Sequence, residues 1–166
     1  MAYNKTTYEF FQGKAKWVKH HRPNQWGKWA MTLYPNAQSL DRIRELQAEG
    51  IKNTLRKDED GYYINIGRPV QITAKGKVVG MTPPVVYLKD WETPLPQDQL
   101  VGNGSDVTVK CECYGGTSPV GTKYKAIRWQ ALRVDNLVPY ERERDQDHYE
   151  AHLTKGLDEQ PSQPLF

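Results

Sequence analysis

Apolar and polar residues alternate with a period of two along the first part of the chain, a pattern typical of half-buried β-strands. In residues 8–19, one face carries Phe11, Gly13, Ala15 and Trp17. The opposite face carries Lys14, Lys16 and Val18. The alternation resumes in residues 28–34 with Trp29, Met31 and Leu33. The pattern therefore predicts two strands, joined by a loop over residues 20–27 where proline, asparagine and glycine interrupt it.

The period changes to that of a helix in residues 39–49. Leu40, Ile43 and Leu46 form an apolar stripe at helical spacing. Ser39 is a suitable N-cap, and Gly50 is suited to the residue just beyond the end of the helix. The sequence predicts one helix, placed directly after the second strand.

Short alternating runs bounded by turn residues predict the remaining strands. These strands are residues 52–57, 62–67, 85–88, 107–114 and 123–134. Asp58-Glu-Asp-Gly61 predicts a hairpin turn between the first two. The apolar phase changes within the last run, which indicates a β-bulge near Gln130-Ala131. Residues 68–84 and 90–104 are predicted to be mostly irregular, and the first of these loops is basic.

Strands in hairpins with a single helix indicate an all-β fold class rather than alternating β-α units. Gly13 and Ala15 inside the first strand suggest a sharp bend or close packing, which a small barrel requires. We therefore predict an OB-fold-like, five-stranded, partly open barrel with extended hairpins. A small β-sandwich is the alternative.

Composition restricts the class of protein. The chain has 166 residues, of which 37% are hydrophobic and 26% charged, as expected for one globular domain. No apolar run approaches the roughly 18 residues that span a bilayer, and the first residues lack the apolar stretch of a secretory signal. Two cysteines are too few for a disulfide scaffold. We expect no membrane association and a location in the cytoplasm.

The net charge of +3 is unevenly distributed. Residues 1–140 hold 20 basic and 13 acidic side chains, a net +7, whereas residues 141–166 hold three basic and seven acidic side chains, a net −4. This division predicts a binding domain over residues 1–140 and an acidic tail, partly helical or disordered, over residues 141–166. A basic body suits a polyanion. An acidic tail can compete for the same surface, recruit partners or merely aid solubility.

Candidate catalytic and metal-binding motifs are weak. His148 and His152 have helical spacing but lack an associated third ligand. Cys111 and Cys113 alternate with valines and are interpreted as small core residues. Gly102-Asn-Gly-Ser105 precedes a strand rather than a helix, so it indicates a turn and not a phosphate-binding loop. We predict no cofactor, no metal and no enzymatic activity.

Aromatic residues among lysines and arginines indicate nucleic-acid binding. Exposed aromatic rings stack on any base, and neighbouring cations neutralise phosphates. The predicted stacking residues, which lie in polar or basic surroundings, are Trp26, Tyr63, Trp91 and Tyr124. The predicted phosphate contacts are Lys14, Lys16, Lys28, Arg68, Lys75, Lys77, Lys123, Lys125 and Arg128. Trp17, Trp29 and Trp129 lie among apolar positions and are predicted to belong to the core.

Two stretches resemble the phage replication single-stranded DNA-binding proteins. The first is Gly13-Lys-Ala-Lys-Trp17, continued by Gly27-Lys-Trp-Ala-Met-Thr-Leu-Tyr-Pro-Asn36 and the predicted helix. The second is Gly102-Asn-Gly-Ser-Asp-Val-Thr-Val-Lys110, followed by a strand containing Ile127, Trp129, Leu132 and Val134. The resemblance implies an OB fold and sequence-independent binding on a basic, aromatic face. It also implies an acidic tail whose terminal aromatic residue, here Phe166, contacts polymerase and helicase.

The sequence thus predicts a non-catalytic protein that coats and protects single-stranded DNA during phage DNA replication and recombination in the host cytoplasm. An RNA-binding or duplex-annealing OB protein is one alternative, because nothing in the sequence distinguishes ribose from deoxyribose. A small metal-dependent nuclease is another. The oligomeric state stays open, and a homo-oligomer is possible.

Overall fold

The computed structural model describes residues 6–96, 99–117 and 120–139. These residues form nine strands and one helix. Their bounds, in chain order, are β1 Thr7–Lys19, β2 Lys28–Pro35, α1 Ala37–Ala48, β3 Leu55–Asp58, β4 Gly61–Pro69, β5 Gln71–Ala74, β6 Lys77–Gly80, β7 Val85–Leu88, β8 Ser105–Thr117 and β9 Lys123–Asn136.

Seven of these strands form one sheet in the order β3-β4-β2-β1-β8-β9-β7. Neighbours are antiparallel except β7 and β9, which are parallel. The predicted class, a mostly β, OB-like fold with one helix, is confirmed. The seven strands of the sheet correspond to the seven predicted runs, and the sheet exceeds the predicted five-stranded barrel because the short strands β3 and β7 form its two edges.

The sheet curls so that the chain entering β3 reaches β9. The Asn53 side chain binds the backbone of Ile127 in both directions, accepting at 2.9 Å and donating at 3.2 Å. The backbone N–H of Lys52 also donates to the carbonyl of Lys125 at 2.8 Å. These bonds bring the β3 edge alongside β9, as in a partly open barrel.

Large apolar side chains fill the space inside this curled sheet. The largest that are fully buried include Trp129, Phe11, Met31 and Leu33. Cys111 and Cys113 are free thiols in the same core, and burial raises the pKa of both. The interpretation of these cysteines as core residues is therefore confirmed.

Helix α1 begins two residues earlier than predicted. Asn36, not Ser39, is the N-cap, and its side chain accepts a hydrogen bond from the Ser39 N–H at 2.9 Å. Asparagine and serine cap equally well, so sequence preference alone did not distinguish them. Ser39 is instead buried, and its hydroxyl accepts from the Gln12 N–H at 2.8 Å. Gly50 adopts a φ of +101° just after the helix, as predicted.

A bulge in β1 reverses its faces near its end. Trp17 has a φ of +56°, and the pairing with β2 shifts register between Lys16 and Lys19. An extra residue in one strand turns the following side chain to the other face. Val18 is consequently buried and Trp17 only half-buried, so the prediction that Trp17 belongs to the core was wrong. The bulge predicted at Gln130 in β9 is confirmed by the register shift there.

The basic stretch predicted to be irregular is largely ordered as strands. β4 continues to Pro69, and β5 and β6 then form a separate hairpin. Its two-residue turn consists of Lys75 and Gly76, with φ of +51° and +78°. Positive φ at both positions is characteristic of the type I′ turn that matches strand twist. The prediction failed because the turn was obscured by the surrounding glycines and prolines.

Candidate nucleic-acid interface

A groove of about 410 Å³ lies between the β3–β4 side of the sheet and the β8–β9 hairpin. We call it the basic groove. Its wall carries four cationic side chains and two tyrosines, together with small and amide residues. The cations and tyrosines are Lys28, Lys52, Arg56, Arg128, Tyr114 and Tyr124. None of the described residues that line it is acidic, so it offers positive potential to a polyanion.

The sequence predicted three of these six residues. Lys28, Tyr124 and Arg128 were identified, whereas Lys52, Arg56 and Tyr114 were missed. Strand alternation could have predicted Tyr114, because it lies out of phase with the buried Cys111 and Cys113 and so faces away from the core. No local pattern could have predicted Lys52, since only the curl of the sheet brings it opposite β9.

A shared carboxylate, which does not itself line the basic groove, holds one of its cations, Arg128. Glu112 binds Arg128 through one oxygen and Arg68 through the other, both at 3.0 Å. One carboxylate therefore serves two guanidinium groups, and the cluster keeps a net positive charge. The Arg128 guanidinium also lies 4.6 Å from the centre of the Tyr114 ring, where a cation is favoured.

Arg68 does not face the groove. It is 9% exposed, and its guanidinium donates to the carbonyls of Thr82 at 2.6 Å and Trp129 at 3.3 Å as well as to Glu112. These bonds connect β4 to β9 and to the segment after β6. Burial and these bonds favour a structural link inside the sheet for Arg68, and its predicted phosphate contact stays a prediction.

Tyr124 is held as a platform across β8. The Lys52 ammonium lies 4.7 Å from the centre of its ring. The ring passes over Gly116, where an added Cβ would come within 2.5 Å of the Tyr124 hydroxyl. The absence of a side chain at Gly116 therefore permits this ring position.

Burial in the groove affects Lys28. The side chain is half-buried, and desolvation lowers the pKa of its ammonium group. A phosphate beside Lys28 would replace part of the lost hydration, so the charge is favourably placed for an anionic ligand.

Three other predicted residues, Lys14 and Lys16 on β1 and Tyr63 on β4, lie beside Tyr34 of β2, but their charges are already paired. Tyr63 and Tyr34 have ring centres 5.4 Å apart, and the Lys16 ammonium lies 4.9 Å from the Tyr34 ring. Lys16 binds Asp60 at 2.6 Å, and Lys14 binds Asp106 at 2.9 Å. Phosphate binding here would have to compete with these carboxylates.

The Tyr34 hydroxyl belongs to the same paired set. It donates to Asp58 at 2.6 Å. Burial, followed by this hydrogen bond, raises the pKa of Tyr34 above its ordinary value.

The other predicted cations are exposed and do not line the basic groove. Lys75 and Lys77 are exposed on the β5–β6 hairpin, and Lys123 and Lys125 are exposed at the start of β9. Lys125 is 3.3 Å from Glu49.

Trp26 lies at the base of the hairpin. It is half-buried in a loop held by Asn24, whose side chain accepts from the Trp26 N–H at 2.9 Å. The hairpin is attached to this loop by the bond from the Val70 N–H to the Gly27 carbonyl.

Trp91 is separate from the basic groove. Its ring packs with Phe10 and Tyr87 beside the β7 edge of the sheet. The predicted partner-binding residue, Phe166, and the whole acidic segment 141–166 lie outside the described residues.

Comparisons with known proteins bear on the fold. No protein-family model matches the sequence, and no curated protein matches it significantly. Among solved structures, gp2.5, a single-stranded DNA-binding protein encoded by bacteriophage T7, is similar with a TM-score of 0.55 and 13% identity, over 87% of this chain and 94% of that one. The single-stranded DNA-binding protein from bacteriophage Enc34 is similar with a TM-score of 0.53 and 13% identity, over 86% and 89%. The chain shares the fold of these phage proteins.

The described residues contain no group of three or more histidine, cysteine or carboxylate side chains placed to hold a metal ion. The single helix described, α1, is too short and too polar to cross a bilayer.

Proposed function

We propose that this protein binds single-stranded DNA without sequence preference, through the basic groove. The observation that carries the proposal is the combination of four cations with two tyrosine platforms in one groove of an OB-like fold, with no acidic residue among the described residues that line it. Phosphates would pair with the cations, and bases would stack on the rings. These contacts do not read base edges, so binding is expected to be sequence-independent.

The fold supports the same ligand. Both phage proteins described above are named as single-stranded DNA-binding proteins, and this chain matches most of their length. We extend the proposal to coating and protecting single strands during phage DNA replication and recombination in the host cytoplasm. Under this proposal, Phe166 and the acidic residues of 141–166 contact the polymerase and helicase.

The test is a titration of the purified protein with fluorescent oligo-dT at several salt concentrations. We expect tight binding at low salt that weakens linearly on a logarithmic salt scale, by about 0.7 per phosphate contact. Tyr124→Ala should weaken binding roughly 5- to 150-fold, the range expected for one lost stacked base. The matched control is Tyr62→Ala, which also removes a tyrosine with a cation over its ring but one that does not line the basic groove. Absence of binding by the unmodified protein at low salt would overturn the proposal.

The alternatives are distinguished with the same apparatus. Tighter binding of matched single-stranded RNA than of DNA would favour an RNA-binding protein, because such a preference requires contacts to the 2′-hydroxyl that the proposed interface does not make. Faster pairing of complementary strands would favour a duplex-annealing protein. Divalent-cation-dependent shortening of the oligonucleotide would favour a nuclease.

A further inference from the structure

A cluster of aromatic rings lies outside the basic groove, where β1 and β8 approach the β7 edge. Phe10 and Tyr87 both meet Trp91 nearly edge to face, with ring centres 5.7 and 5.8 Å from it. The rings border an opening of about 340 Å³ rather than filling it. Phe10 is 51% exposed, so much of its ring contacts water instead of the core. We call Phe10, Tyr87 and Trp91 the aromatic patch.

Two cations lie directly over these rings. The Lys110 ammonium is 6.0 Å from the Phe10 ring centre and 4.7 Å from that of Tyr8. The Arg133 guanidinium is 5.2 Å from the Trp91 ring centre. Lys110 has no carboxylate partner among the described ion pairs. Open rings next to an unneutralised cation suit a ligand that is flat and anionic, rather than a purely apolar partner.

Trp91 is fixed in position before any ligand arrives. The Asp90 carboxylate accepts from the backbone N–H groups of Glu92 at 2.8 Å and Thr93 at 2.6 Å, which closes a tight turn around Trp91. These bonds also lower the pKa of Asp90, so the turn keeps its anchor over a wide pH range. A platform held in this way loses little conformational entropy on binding.

The aromatic patch and the basic groove lie on one face of β8. Lys110 borders the patch and Tyr114 borders the groove. They are four residues apart on the same side of the strand, a separation of roughly 13 Å. We propose that the aromatic patch is a second base-stacking subsite for the same DNA strand, which runs from the groove along β8. This inference rests on the proposed function and extends the path of the ligand.

The test compares strands of two lengths. The oligo-dT affinity of Phe10→Ala is compared with that of Tyr62→Ala. Tyr62 is the control because it is an exposed aromatic residue on β4 that also has cations over its ring. A four-nucleotide oligo-dT is expected to occupy the more strongly charged groove alone, so Phe10→Ala should leave its affinity unchanged. Oligo-dT of 16 nucleotides should reach the aromatic patch. Phe10→Ala should therefore weaken its binding about 5- to 150-fold. Phe10→Leu keeps apolar volume without the ring and should show the same length dependence.

Tryptophan fluorescence supplies an independent readout. Bases stacked on Trp91 should quench its emission, so Trp91→Phe should show less quenching than the unmodified protein with the 16-nucleotide strand. The 4-nucleotide strand should produce no such difference.

The outcomes separate this inference from the proposed function. If the unmodified protein binds both strands but Phe10→Ala and Phe10→Leu match the control, the inference is wrong and the function stands. A change in sedimentation of Phe10→Ala without a change in DNA affinity also overturns it, and assigns the patch to self-association. If the unmodified protein binds neither strand, both proposals fail.

Discussion

Individual side chains in this protein divide into those that hold the sheet together and those that are free to meet a ligand. Arg68 and Arg128 share Glu112, yet Arg68 directs its remaining donors to backbone carbonyls whereas Arg128 lines the basic groove. Two arginines that look equivalent in the sequence therefore differ in the structure, where Arg68 links strands and Arg128 is available to a ligand. Measuring the free energy of unfolding and the DNA affinity of the same variant tests this difference.

Arg68→Met should destabilise the protein without abolishing DNA binding by the folded fraction. The change leaves the carbonyls of Thr82 and Trp129 without this donor, and we expect a loss of about 2–4 kcal/mol in the free energy of unfolding. Urea denaturation measures the stability, and oligo-dT titration of folded protein measures the affinity. Arg68→Lys should give an intermediate stability because it keeps the charge but loses the forked donor geometry. A loss of affinity at full stability would restore Arg68 as a phosphate contact.

Lys52→Gln should reduce the salt dependence of oligo-dT binding. If Lys52 contacts one phosphate, the slope of log affinity against log salt should decrease by about 0.7. Lys57→Gln is the matched control, since Lys57 lies over Tyr62 rather than over Tyr124. Equal slopes for both variants and the unmodified protein would remove Lys52 from the interface.

His20 should make the protein less stable as the pH falls below neutrality. Burial lowers the pKa of His20 to about 4, and His21 beside it adds repulsion. Between the unfolded value near 6.5 and this lower value, the unfolded chain binds a proton that the folded chain does not. The contribution of His20 to stability therefore decreases with falling pH and levels off below about 4. The loss is at most about 3 kcal/mol at 1.36 kcal/mol per pH unit.

Urea denaturation at pH 7.5, 6 and 5 measures this dependence. His20→Asn should flatten the stability profile, whereas His21→Asn, at an exposed position, should flatten it less. Parallel profiles for the unmodified protein and His20→Asn would contradict the assignment.

At the level of secondary structure elements, the β8–β9 hairpin provides one wall of the basic groove. The position of the Tyr124 ring on that wall depends on the absence of a side chain at Gly116. Gly116→Ala should weaken oligo-dT binding, because the added Cβ displaces the Tyr124 ring that now lies 2.5 Å from that position. The displaced atoms belong to the outer part of a side chain, so stability should change little. Gly80→Ala, where a Cβ meets nothing within 4 Å, is the control. Unchanged affinity for Gly116→Ala would show that the Tyr124 ring position does not matter.

The elements themselves follow closely from the sequence, because alternation and turn chemistry are local. The strands around Trp29, Ile64 and Val109 and the bulge at Gln130 could all be predicted in this way. The bulge at Trp17 could not, since it depends on Asn103 accepting a hydrogen bond from the Trp17 N–H across the fold at 2.9 Å. The site was predictable only in part for the same reason: Lys52 and Arg56 join it through the curl of the sheet.

At the scale of the whole molecule, charge is divided between a body of net +7 and a C-terminal segment, residues 141–166, of net −4. The body contains the basic groove and the exposed lysines of the β5–β6 hairpin. An acidic segment tethered to a basic surface acts at a high effective concentration, so it can compete with phosphates even when its intrinsic affinity is low.

Removal of residues 141–166 should therefore tighten binding of oligo-dT and steepen its salt dependence. The competing carboxylates would be lost, and each additional phosphate contact would release counterions that contribute to the slope. A full-length variant with the seven acidic residues of this segment changed to their amides should behave like the truncation, since charge rather than length causes the effect. Titrations at low and high salt measure the affinity and its salt dependence. Because salt screens the competitor as well as the ligand, the largest gain is expected at low salt, and an unchanged affinity there would contradict the competition.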